Sequence, residues 1–381
     1  MTKNTKKIAI VYDWIEKWGG VERVLLTLHE MFPQAKFFTS FVDFSKAGWA
    51  RNLEIYTSFV QRFPDLIRSN RILSLPFYPY VFESFDFSDF DTVISVTSSF
   101  AKSVLTKPGT VHVCYLLTPT RYLWVMPNRY FSNPLSKLIS SFFLGKLRQW
   151  DFISAQRPDK IVSISKTVAD RCRKYYQRNS EVIYPPFDTS YWNIIKSKLQ
   201  NPRDKSNPNI KFLDGRKFFL TVSRLELYKK IDLVIRSFHQ LENENLVVVG
   251  EGSQRKSLER IAGKNVTFFS KLSDEELGWL YANAEGFILP QEEDFGYTSL
   301  EAQFFGCPVI AYQRGGAVET VIEGKTGIFF QNQEEASLIA GLKRYDMLKY
   351  SLRTKAKESG PKNVENYRKE DFKRKFLQSI F

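Results

Sequence analysis

Short apolar runs recur along the chain, each followed by a polar stretch with helical spacing. Lys7–Tyr12 (KIAIVY) is a β-branched run; Gly19-Gly20 follows closely, then the helical pattern Val21–Phe32. Strand, glycine loop and helix in that order open an α/β domain. Further strand-like runs at Ala35–Thr39, Thr92–Val96, Val111–Tyr115, Lys160–Ile164 and Glu181–Ile183 alternate with helical patterns. This cadence predicts a buried parallel sheet. From Pro185 to about Arg216 prolines and asparagines interrupt a charged stretch, which reads as a linker with a ragged helix in it. A second cadence follows, with strands at Phe218–Val222, Leu246–Val249, Val266–Phe269, Gly286–Leu289 and Val309–Ala311. Helices are expected between them at Leu233–Leu241, Asp274–Ala284 and Leu300–Phe305, and the basic tail from Asn366 is helical.

The pattern therefore predicts two doubly wound α/β domains, residues 1–190 and 191–365, with residues 366–381 crossing back to the first. A length of 381 residues suits two domains. Open α/β sheets bind ligands beyond the carboxyl ends of their strands, so two such domains facing a cleft would hold a ligand there.

Charge changes the picture. The chain carries a formal +14, which asks for an acidic partner: nucleic acid, an anionic membrane or a phosphorylated ligand. Cys114, Cys172 and Cys307 are scattered and odd in number, which supports neither a disulfide framework nor a zinc site. The basic start lacks the apolar core of a leader, and no run nears the ~20 apolar residues of a spanning helix. A reducing, cytoplasmic setting is the expectation.

Three segments carry candidate chemistry. In Pro290–Glu301 (PQEEDFGYTSLE) a strand ends, a glycine loop follows and a helix begins near Thr298. Backbone N–H groups at a helix start form a cradle for ligand oxygens. Glu293 and Glu301, as acceptors only, suit hydroxyl groups. On pattern alone, a solvated loop acid and a helix surface acid describe them equally well. In Thr221–Asp232 (TVSRLELYKKID), Arg224 and Lys229 follow the first strand of the second domain and could neutralise a diphosphate. Viewed alone, an ordinary basic helix start is the better reading. In Trp18–Glu22 (WGGVE), Gly19 and Gly20 would let backbone approach an anion. Gly250-Glu251-Gly252 reads as a tight turn.

Together these segments resemble the retaining glycosyltransferases of sequence family four, over nearly the whole chain. The family's E-x7-E pattern falls on Glu293 and Glu301, its Arg and Lys on Arg224 and Lys229, and its GG(V/A)E loop on Gly19 to Glu22. Its GTPVIAxxxGGxxE run falls on Gly306 to Glu319, with Cys307 where Thr is common. The resemblance implies the GT-B fold, two Rossmann-like domains, the first binding acceptor and the second nucleotide sugar. It implies that Arg224 and Lys229 bind the donor diphosphate. Glu293 and the N–H groups of Asp294, Phe295 and Gly296 would hold the sugar hydroxyls, Glu301 the ribose, and Gly19 and Gly20 the phosphate or the acceptor. It implies no cofactor and no bound metal: the two cations would stabilise the leaving diphosphate. A same-face displacement, in which a leaving phosphate oxygen helps deprotonate the incoming hydroxyl, would retain configuration without a protein nucleophile.

Tyr115–Trp124 (YLLTPTRYLW) is similar to the family's YCHTPMRYLW, with Leu117 at the histidine position. That histidine is associated with the donor sugar's 6-hydroxyl, so Leu117 implies a deoxy donor, a changed pose or a weakened enzyme. His112 lies two positions before Cys114 on one strand and is expected to be structural. Asp89-Phe90-Asp91 reads as a turn rather than a metal site.

Between Ala101 and Trp150 there is no Asp or Glu, while Lys102, Lys107, Arg121, Arg129, Lys137, Lys146 and Arg148 fall there. Lys102, Arg121 and Tyr122 are the acceptor-side candidates. Behind an Asn133-Pro134 helix start, Leu135, Leu138, Ile139, Phe142, Phe143 and Leu147 recur at helical spacing, either as core or as a membrane-facing stripe. Phe59–Phe82, with Phe63, Ile67, Ile72, Phe77 and Tyr80 among Arg62, Arg68 and Arg71, is a second such candidate. The leading expectation is a hexosyltransferase, GDP-mannose its favoured donor, resembling O-antigen and capsule mannosyltransferases. It would be peripheral on the anionic inner membrane surface and take a polyprenyl-diphosphate-linked glycan acceptor. A UDP-sugar or deoxy-sugar donor is the alternative. A sugar-nucleotide epimerase would lack the Arg/Lys and Glu/Glu combination, and no motif supports nucleic-acid binding.

Overall fold

The computed structural model describes residues 6–68, 70, 73–127, 134–199, 210, 213 and 215–380, with the side chains of 134–142 undescribed. The chain forms two units: residues 1–186 with 370–381, and residues 187–369.

The first unit is built on seven parallel strands: β1 Ile8–Tyr12, β2 Lys36–Thr39, β3 Ile55–Thr57, β4 Thr92–Thr97, β5 Val111–Leu116, β6 Lys160–Ser163 and β7 Glu181–Val182. Their order is β3-β2-β1-β4-β5-β6-β7. β1 and β4 are buried along their whole length, as strands covered on both faces must be. β3 is an addition to the predicted set. It is a three-residue edge strand, half exposed, and too short to carry a pattern.

The second unit has six parallel strands: β8 Phe219–Val222, β9 Leu246–Val249, β10 Val266–Phe269, β11 Gly286–Leu289, β12 Val309–Tyr312 and β13 Gly327–Phe330. Their order is β10-β9-β8-β11-β12-β13. In both sheets the strand order reverses beside the first strand, between β1 and β4 and between β8 and β11. These are the switch points where doubly wound folds open a crevice.

Thr189–Leu199, the helix within the stretch expected as a linker, belongs to the second unit. Trp192 and Ile195 are buried, and a Cβ on Gly278 would sit 3.2 Å from Ile195. The helix Glu335–Val364 was not anticipated. Near its end Gly360 packs directly on the helix Tyr297–Phe304, where a Cβ would stand 2.3 Å from the Gln303 carbonyl oxygen. The tail helix, Lys369–Ile380, lies against the first unit: Phe372 and Phe376 meet the Tyr115 ring edge-on, and Lys160 Nζ donates to the Ser379 carbonyl at 2.8 Å.

Candidate active site

In the second unit the switch point brings two loops together. After β8, Arg224 is exposed and donates to the Tyr228 hydroxyl at 2.7 Å. Lys229 ends a short 3-10 turn, Leu227–Lys229, and is buried. After β11, the loop from Pro290 leads to Gly296, whose φ of 93° starts the helix Tyr297–Phe304. Glu293 on that loop pairs with Lys229 Nζ and accepts from Gln291 Nε2 at 2.7 Å. A cation from one strand end therefore meets a carboxylate from its neighbour. Glu301 is buried inside the helix, where Tyr281 Oη donates to its Oε2 at 3.0 Å. Phe295 is buried with its ring between Tyr297 and Tyr367, and Asp294 is buried beside it in sequence.

Two glycine pairs hold these loops, and neither was singled out beforehand as part of the site. Gly316 N–H donates to the Glu293 carbonyl at 2.7 Å, and Gly315 has φ +67°. A Cβ on Gly315 would lie 2.3 Å from the Glu293 oxygen, and one on Gly316 would lie 2.3 Å from that of Phe295. Gly250 and Gly252, read as a plain turn, brace the Arg224 loop in the same way. A Cβ on them would come within 1.9 Å of the Ser223 carbonyl oxygen and 2.4 Å of that of Leu225. Leu225 N–H also donates to the Glu251 carbonyl at 2.8 Å.

In the first unit, Gly19 caps and Gly20 begins the helix Gly20–Met31, just beyond β1. Arg121 opens a π-helical turn, Arg121–Val125, closed by Met126 N–H donating to the Arg121 carbonyl at 2.8 Å. Such turns break the helical ladder and are frequent at functional sites. Two of the three acceptor-side candidates are buried in the first unit. Lys102 is only 1% exposed; its Nζ pairs with Asp151 Oδ1 at 2.6 Å and also donates to the Ser99 carbonyl. Tyr122 is buried with its hydroxyl bonded to Ser99 Oγ, and desolvation pushes its pKa well above the phenol range. Both make buried hydrogen bonds within the first unit. Leu117 is buried directly after β5, its N–H donating to the Thr97 carbonyl at 2.8 Å.

The family model described as "Glycosyltransferase Family 4" matches residues 18–191, and that described as "Glycosyl transferases group 1" matches residues 202–363. The chain belongs to the glycosyltransferases. It is 28% identical over 200 residues to the alpha-1,3/1,6-mannosyltransferase ALG2 of Candida glabrata, across 42% of this chain and 43% of that one. It is 34% identical over 132 residues to the GDP-mannose-dependent alpha-(1-6)-phosphatidylinositol monomannoside mannosyltransferase of Mycolicibacterium smegmatis, across 30% of this chain and 35% of that one. The chain thus spans less than half the length of these curated relatives. The crystal structure of Anabaena Alr3699/HepE in complex with UDP shares the fold, with a TM-score of 0.70 at 18% identity over 98% of this chain and 99% of that one. The glycosyltransferase has the GT-B fold.

Sequence reasoning also missed the acid at the first switch point of this glycosyltransferase. Asp13, directly after β1, is fully buried. Its Oδ1 accepts from Thr97 Oγ1 at 2.8 Å and from the N–H groups of Phe100 and Ala101, both at 2.9 Å; its Oδ2 accepts from Ser98 N–H at 2.7 Å. The signal was present: an acid ending an all-apolar strand needs donors if it stays inside. His112 is buried, with Nε2 2.8 Å from Ser95 Oγ. Asp91 accepts from the Lys7 N–H at 2.8 Å, and Asp89 lies in a turn. Of the apolar stripe on Pro134–Ser154, Leu147 is in the core, Leu144 packs against it and Phe143 is exposed; the earlier members, and Arg71, Ile72, Arg129 and Asn133, lie outside the described side chains.

Proposed function

We propose that this glycosyltransferase moves a hexose, mannose from GDP-mannose, with retention onto a polyprenyl-diphosphate-linked glycan for O-antigen, capsule or related surface polysaccharide. The observation that carries the reading is the meeting of Lys229 and Glu293 at the β8/β11 switch point, with Arg224 on the same loop as Lys229. Breaking the sugar–phosphate bond leaves new negative charge on the diphosphate. Arg224 and Lys229 would neutralise it without a metal, arginine by paired hydrogen bonds and lysine as a point charge. Glu293, next to them, would accept from sugar hydroxyls, and Glu301 from the ribose. The two mannosyltransferase relatives support mannose as the sugar.

A UDP-sugar or deoxy-sugar donor is the second reading. It is favoured by the UDP-bound relative and by Leu117, an apolar side chain where a hydrogen-bonding one would be expected. On the acceptor side, the first unit carries +11 of the net +14, 28 Lys and Arg against 17 Asp and Glu. Leu66 and Tyr80 stand 73% and 68% exposed in the Phe59–Phe82 segment, which also carries Arg62. This supports docking on an anionic inner leaflet. Among the described residues no helix is long and apolar enough to cross a membrane.

The experiment is thermal protection by a panel of GDP- and UDP-sugars, with Glu301→Ala and Arg224→Ala alongside. Protection by GDP-mannose, lost in both variants, is the expected result. Protection by UDP-sugars alone selects the second reading, and protection by none overturns the donor site. Failure to bind anionic liposomes at low salt would remove the membrane partner only.

A further inference from the structure

Ligands of an open parallel sheet gather beyond its carboxyl edge. The second unit also has a cavity of about 320 Å3 at the opposite, amino edge. One wall is the edge itself: Lys217 stands two residues before β8 and Glu285 directly before β11. The other wall is a stripe of the helix Glu335–Val364, where Lys349, Arg353 and Lys357 follow at four-residue spacing with Thr354 between. Residues so spaced share one face of a helix.

The charges around the cavity do not cancel. Glu285 pairs with Arg353 at 2.6 Å, and Asp346 pairs with Lys349 at 2.7 Å. A third acid, Glu244, lies nearby with its pKa raised by burial and then by Asp346, and it feels Lys349 and Lys217 as favourable charges. Among the described residues Lys217 and Lys357 have no ion pair, and the lining sets Lys217, Lys349, Arg353 and Lys357 against a single acid, Glu285. Arg353 is anchored by Glu285 with its planar fork at the wall. The volume is at the lower end for ligand sites, which fits a phosphate group and a small carrier.

We propose that this cavity binds a phosphate-bearing ligand, held by Lys217 and Lys357 as point charges, with Arg353 and the Thr354 hydroxyl as hydrogen-bond donors. The rim suits either of two sources. Tyr350 is 82% exposed on the rim and Met347, one turn earlier on the helix, 79%. Apolar side chains beside cations match the headgroup layer of an anionic lipid, but a free phosphate meets the same cations. The proposal does not rest on the donor-site reading, which concerns the other edge of the sheet.

The test follows inorganic phosphate and pyrophosphate binding by calorimetry on the full chain. Three proteins are compared: the unaltered chain, the double variant Lys217→Gln/Lys357→Gln, and Arg224→Ala as the control for a diphosphate at the carboxyl edge. Binding that survives Arg224→Ala and weakens tenfold or more in the double variant is expected. Equal binding by the unaltered chain and the double variant, or no binding to phosphate and vesicles alike, overturns the proposal. Flotation with phosphatidylglycerol and phosphatidylcholine vesicles then separates the sources. Capture by phosphatidylglycerol alone, lost in the double variant, assigns a lipid headgroup; phosphate binding without that capture assigns a free phosphate. Sugar transfer by the double variant should match the unaltered chain, and its thermal midpoint checks that it is folded.

Discussion

Asp151 shows how far a linear charge count can mislead. The acid-free window from Ala101 to Trp150 marks Lys102 as an acceptor-side candidate, yet its counter-ion, Asp151, is the first residue after that window. Asp151 accepts from four side chains: Lys102, Thr120 Oγ1 at 3.0 Å, Trp124 Nε1 at 2.7 Å and Tyr176 Oη at 2.8 Å. Trp124 belongs to the π-turn that begins at Arg121, so this buried acid anchors that turn. Asp151→Asn leaves the Lys102 charge buried without its partner. The expected loss is about 3–5 kcal/mol, read from the urea midpoint. Lys102→Met/Asp151→Asn should recover part of it, because the stranded charge is then gone; no recovery would mean the pair is not the main contribution. His112 gives a residue-scale pH effect. Burial lowers its pKa to about 3 from 6.5. As pH falls below about 6.5 the unfolded chain takes up a proton that the folded chain refuses. The stability present above that pH is therefore lost progressively toward pH 3, by about 1.4 kcal/mol per unit. His112→Gln should flatten the melting-temperature profile between pH 6 and 4, and an unchanged profile would show that another group sets the slope.

Elements that are buried on both faces were legible from sequence. β1, β9 and β11 are short, continuous apolar runs, and β4 and β5 are largely apolar ones, because helices cover both sides of the sheet. What escaped was set by tertiary contact. The thirty-residue helix Glu335–Val364 carries both Gly360 and Pro361, and its polar composition hides the face that packs on β13 and the helix Tyr297–Phe304. The chemistry divides likewise. Arg224, Lys229, Glu293 and Glu301 stood out as a spaced set, whereas the bracing role of the glycines beside their loops became visible only through backbone approach distances. Gly315→Ala tests the bracing. The new Cβ would stand 2.3 Å from the Glu293 carbonyl oxygen at a φ of +67°, so the loop must shift. Nucleotide-sugar protection should fall at least tenfold in apparent affinity while the melting temperature changes by only a few degrees. Full protection in this variant would show that the position of Glu293 does not depend on the glycine pair.

At the scale of the whole molecule the chain enters the first unit twice. It leaves at Pro186 and returns at Glu370, so a tail of twelve residues completes a sheet unit that was otherwise finished far earlier in sequence. The tail is held in three ways. Phe372 and Phe376 are buried with their rings stacked 5.2 Å apart and both edge-on to Tyr115 of β5. Lys160, the first residue of β6, donates to the Ser379 carbonyl, and Lys373 pairs with Glu30 at 2.8 Å. The exposed pair adds little; each buried ring contributes about 1.5–3 kcal/mol. Ending the chain at Arg368 would therefore cost the first unit about 3–6 kcal/mol and uncover Tyr115, with no direct loss of contact inside the second sheet. Hydrogen exchange read by peptide mass spectrometry separates the two units. Exchange should accelerate in β5, β6 and the helix Lys166–Tyr176, while β8, β9 and β11 keep their protection. Equal acceleration in both sheets would instead mean that the units lose stability together, and no acceleration in β5 would show that the aromatic contacts contribute nothing to the first unit.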